Sequence, residues 1–63
     1  MLFRIDYRAL AEANTKSAEF HINLARQYFE AGNIQMGVYH RHIAKRILDA
    51  NLKVIVKMLG EGR

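Results

Sequence analysis

A chain of 63 residues with no cysteine forms one domain at most, with neither disulfides nor thiolate metal ligands to staple it. Half of its residues are apolar, a quarter are charged and the net charge is +4, the balance of a folded domain rather than a disordered tail. A domain of this size buries only about 60% of its unfolded surface, so oligomerisation is the expected source of the missing stability.

In chain order, "MLFRID" opens the sequence. Arg4 and Asp6 interrupt its apolar residues before a signal-peptide core can form. Asp6 suits a helix N-cap, with Ile5 and Leu10 at the spacing of a hydrophobic staple. A helical pattern then runs over about 6–31. Within it "NTKS" at 14–17 is the weak point, because those residues prefer caps and turns, and a kink is expected there if anywhere. "AGN" at 31–33 stops the helix: Gly32 fits the left-handed position after a helix and Asn33 the N-cap of the next. The second helix is predicted over about 34–59, ended by Gly60. No proline interrupts either one. Each is about 26 residues, or roughly 39 Å, a length typical of bundles and coiled coils. The longest apolar run near the C-terminus, "VIV" at 54–56, falls far short of the roughly 20 residues of a membrane span. A cytoplasmic chain is expected, in the host cytoplasm if its source is viral.

Placed at 100° per residue, the apolar side chains of the first helix cover roughly 200° of arc, and those of the second are similar. One antiparallel partner covers a stripe of about 100°, so the excess is expected to meet another chain. The fold predicted is all-α: an antiparallel two-helix hairpin dimerising into a four-helix bundle. The expected dimer core is Leu10, Phe20, His21, Leu24, Tyr28, His40, Ile43, Ile47 and Ile55. The short turn sets a register in which Leu10 faces Ile55, Ser17 faces Leu48, Asn14 faces Asn51 and Gly37 lies against Tyr28.

Asn14, His21, His40 and Asn51 fall inside these apolar arcs. Facing asparagine amides can hydrogen-bond each other and fix register. His21 and His40 are expected to meet only where a dimer axis brings them together. A zinc site needs three or four ligands; His40 and His42 point to different sides of a helix, and no His-xxx-His pair exists. No metal and no cofactor is expected. A hairpin also lacks the usual concave pocket, and the sequence carries no nucleophile–base–acid set, phosphate loop or inward carboxylate pair. The protein is not expected to be an enzyme.

"YFEAGN" followed by "GVYHRHIAKRI" resembles a tetratricopeptide junction, with Tyr28, Gly32 and Ala44 in suggestive places. Gly37 and Arg41 depart from that pattern, and both helices are about twice too long for a repeat. A DNA-binding helix-turn-helix fits no better, because Arg41 stands where its second helix should be apolar. In size and architecture the chain is similar to the repressor-of-primer family, RNA-binding hairpins that dimerise into four-helix bundles. It also looks like the small helical accessory proteins of the early regions of temperate, lambda-like bacteriophages. Both are likenesses of shape, without a shared motif, and the second implies a host-directed regulatory role.

Residues 1–31 carry four basic and four acidic side chains, whereas residues 32–63 carry six basic and two acidic. The excess lies on helix 2, at Arg41, His42, Lys45, Arg46, Lys53 and Lys57, a possible basic binding face for phosphates of DNA or RNA. Val38 and Val56, toward the polar faces, and Leu2, Phe3 and Ile5, ahead of helix 1, form a possible docking patch. The leading expectation is a small regulatory or accessory protein that binds a larger protein partner as a helical homodimer. Nucleic-acid binding through the basic face is the alternative.

Overall fold

The computed structural model of the chain describes residues 5–61. Over that span it is a helical hairpin, α1 (Tyr7–Glu30) and α2 (Ile34–Glu61), with no strand among the described residues. Leu2 and Phe3 of the expected docking patch lie outside them.

Local chemistry accounts for each helix end. The Asp6 carboxylate accepts from the Ala9 amide at 3.0 Å, and its carbonyl accepts from Leu10, so the N-cap is made as expected. The staple partners Ile5 and Leu10 both remain exposed. Through 14–17 the helix is unbroken. There the Thr15 hydroxyl donates to the Ala11 carbonyl at 2.9 Å, satisfying itself one turn back.

The turn has two stacked caps. Gly32 takes a positive φ of 83°, a conformation that costs other L-residues roughly 1–2 kcal/mol. Its amide donates to Phe29 at 3.0 Å and that of Asn33 to Tyr28 at 2.8 Å, the paired bonds of a Schellman motif. The Asn33 side chain accepts from the Met36 amide at 3.2 Å and so starts α2. The far end departs from expectation. Gly60 does not end α2, which continues to Glu61. A helical glycine costs only about 1 kcal/mol relative to alanine, and no proline follows to break the ladder.

The interface between the helices rests on small residues. Ala11, Ala18 and Ala25 recur every seven residues on α1, and Gly37, Ala44 and Asn51 do so on α2; all six are buried. Between them Asn14, His21 and Tyr28 alternate on one helix, and His40, Ile47 and Val54 on the other, all half-buried. This is the heptad arrangement of an antiparallel coiled coil. Among the described residues no large side chain is fully buried. The molecule is a rod of 50 × 19 × 14 Å with a radius of gyration of 14.9 Å, against about 11 Å for a compact domain of this length.

Gly37 has a packing reason. A Cβ there would lie 2.6 Å from the Phe29 ring, so α2 crosses α1 against an aromatic face. The neighbour is Phe29 rather than the expected Tyr28, whose ring lies instead flat against His40.

Candidate functional site

Three features stand out along the hairpin: an amide layer, a histidine pair within aromatic rings, and an open apolar groove.

The amide layer matches the expected register. Asn14 donates to the Asn51 carbonyl oxygen at 3.0 Å. The Asn51 amide donates to the Ala11 carbonyl at 3.2 Å and to the Thr15 hydroxyl at 3.4 Å. Asn51 is 2% exposed, so each of these bonds offsets a desolvation cost of about 1–3 kcal/mol. Among the described residues no buried side-chain polar atom lacks a partner. The layer is a pin that holds one register, because slipping the helices would break the Asn14–Asn51 bond and strand the buried Asn51 amide.

His21 and His40 meet within one chain, not across a dimer axis as expected. Their Nδ1 atoms are 2.9 Å apart. The ring centroids are 5.1 Å apart with the planes 19° from parallel. That separation is close to the nitrogen–nitrogen distance plus two ring radii, so the rings meet edge to edge rather than face to face. One Nδ1 donates and the other accepts, so the accepting ring is neutral with its proton on Nε2. The Tyr28 ring stacks on His40 at 5.5 Å, Tyr39 meets it edge-on at 5.2 Å, and Phe20 meets His21 edge-on at 5.3 Å. Among the described residues no group of three or more potential metal ligands converges.

Sequence reasoning missed the groove. It measures about 820 Å³ and opens along one flank, floored by Ile22, Ala25, Phe29, Val38, Ala44 and Leu48. Its rim carries Arg26, Arg41, His42 and Lys45 beside Glu30 and Asp49. It exists because Ala25 and Ala44 form the seam there, and larger neighbours stand up on either side of it. The signal was present in the sequence as small residues every seventh position, but a count of apolar residues treats alanine and leucine alike.

The expected dimer-core residues divide by position. His21, Tyr28, His40 and Ile47 are half-buried in the seam between the two helices of one chain. Leu24, Ile43 and Ile55 are half-buried beside it, and Leu10 and Phe20 are exposed. All six residues of the expected basic face are exposed. They are not one stripe. Arg41, His42 and Lys45 border the groove, whereas helical periodicity turns Arg46, Lys53 and Lys57 toward the opposite flank. Among the described residues no helix is long and apolar enough to cross a membrane.

No family model matches the chain, no curated protein matches it, and no solved structure matches it.

Proposed function

We propose that the protein is a non-enzymatic interaction module, a helical homodimer that binds a larger protein partner in a regulatory or accessory role. The observation that carries this reading is the inverted burial. Among the described residues the buried apolar side chains are the alanines 11, 18, 25 and 44, while eleven large hydrophobic side chains are exposed. Single exposed apolar residues are ordinary, but contiguous patches mark interaction surfaces. Val56 and Ile5, at 67% and 59% exposure, support a docking patch for that partner.

Sedimentation equilibrium and affinity capture from the native host test this together. A dimer that retains specific protein partners after nuclease treatment supports the reading. A folded monomer at micromolar concentration, or capture of nucleic acid alone, contradicts it.

The exposed cations of α2 favour a second reading, binding to the phosphates of duplex DNA or structured RNA. A dimer would carry at least ten such charges. The wide arc over which they lie, interleaved with Leu48, Leu52 and Val56, supports it less well than a single basic stripe would. Phosphate contact predicts a steep salt response. With 6–10 contacts, affinity drops by about 10³–10⁵ between roughly 50 and 200 mM salt, with little preference among sequences. Binding that survives that change in salt, or that strongly prefers one duplex, excludes this mode.

A further inference from the structure

The two flanks of the hairpin differ. The groove flank exposes Ile22 at 46%, Val38 at 46% and Leu48 at 42%, with Phe29 half-buried between them. Helical periodicity extends the same stripe along α2 to Leu52 and Leu59, both about two-thirds exposed. The opposite flank holds the histidine pair with Phe20 and Tyr39.

An alanine seam leaves the large apolar side chains of this flank uncovered, and charge points to what covers them. The groove rim mixes Arg26, Arg41 and Lys45 with Glu30 and Asp49. A two-fold interface sets a patch against itself, and a rim of both signs can pair with its own copy where a wholly basic rim would repel it.

We propose that a second copy of this chain seats on the groove flank. Ile22, Phe29, Val38, Leu48 and Leu52 then become the core of a four-helix bundle. The flank bearing Phe20, Tyr39 and the histidine pair stays outside it. This rests on the dimer reading above and adds to it the face by which the copies join.

The absence of native cysteine makes single-cysteine variants clean reporters. Leu48→Cys, Val38→Cys and Phe20→Cys change exposed positions, so folding is retained; circular dichroism checks this. Each is labelled with a maleimide at high protein concentration and after dilution, alongside sedimentation. Leu48→Cys and Val38→Cys are expected to react about tenfold more slowly when concentrated, the protection given by nine chains in ten being paired. Phe20→Cys should react at one rate throughout. Protection of Phe20→Cys, alone or together with the groove positions, overturns the assignment of the face and leaves the dimer standing. If no position is protected although sedimentation reports a dimer, the groove is likewise not the interface. If no position is protected and the protein sediments as a monomer throughout, the dimer reading fails with it.

Discussion

Asn51 is the residue on which the hairpin's alignment turns. Buried among alanines, it is acceptable only because Asn14, Thr15 and the Ala11 carbonyl complete its hydrogen bonds. Asn51→Leu is expected to lose about 1–3 kcal/mol, the cost of leaving buried partners unpaired. Asn14→Leu/Asn51→Leu should recover much of that loss while relaxing the register. Urea denaturation measures the energies and amide NMR the uniqueness of the fold; losses that simply add would show that the two amides do not act as a pair. The histidine pair makes a different demand. With Nδ1 facing Nδ1, the accepting ring must carry its proton on Nε2 alone, and the donating ring must carry one on Nδ1. Nitrogen-15 spectra should show one ring with a bare Nδ1 and one with a protonated Nδ1. Two rings of the same tautomer would exclude this bond.

At the scale of the helices, close approach outweighs intrinsic propensity. Glycine inside α2 should cost about 1 kcal/mol relative to alanine, which makes Gly37→Ala look stabilising. The added methyl would instead meet three atoms of the Phe29 ring at 2.6–2.8 Å, and overpacking typically costs about 1–3 kcal/mol. Gly37→Ala is therefore expected to lower the melting temperature. In a Phe29→Ala background the same change should raise it, because the obstruction is gone and only the propensity remains. One sign in both backgrounds would refute the account. At the turn, Gly32 has open space around it but a positive φ. Gly32→Ala should thus destabilise by roughly 1–2 kcal/mol through backbone strain alone, and Gly32→Asn by less, since asparagine tolerates that region. Equal losses for the two substitutions would point to a cause other than φ.

For the molecule as a whole, the rod shape and the alanine seam leave one hairpin short of apolar burial. If pairing supplies the remainder, unfolding is coupled to association, and the melting temperature must rise with protein concentration. A melting temperature constant over a hundredfold range of concentration would mean that one hairpin suffices. The exposed cations on both flanks keep the net charge of +4 at the surface whichever face is covered, which favours solubility of the assembled form.

Much of the fold is legible in the sequence because its signals are local. The Asp6 cap, the left-handed Gly32 and the Asn33 cap each act within a few residues. The three-residue turn then propagates a register far enough to bring Asn14 to Asn51. What the sequence left open depends on how the two helices are rotated about their own axes. In the turn-defined register His21 stands opposite Ala44, yet its ring meets His40, one turn nearer the start of α2. Phe29, rather than Tyr28, fills the space beside Gly37 for the same reason. A period of 3.6 residues identifies an apolar face but not which of its members form the contact line. Only the tertiary structure decided that the alanines and Gly37 take the seam. Small residues let the backbones close, and the larger side chains are displaced to the flanks, where they form the groove.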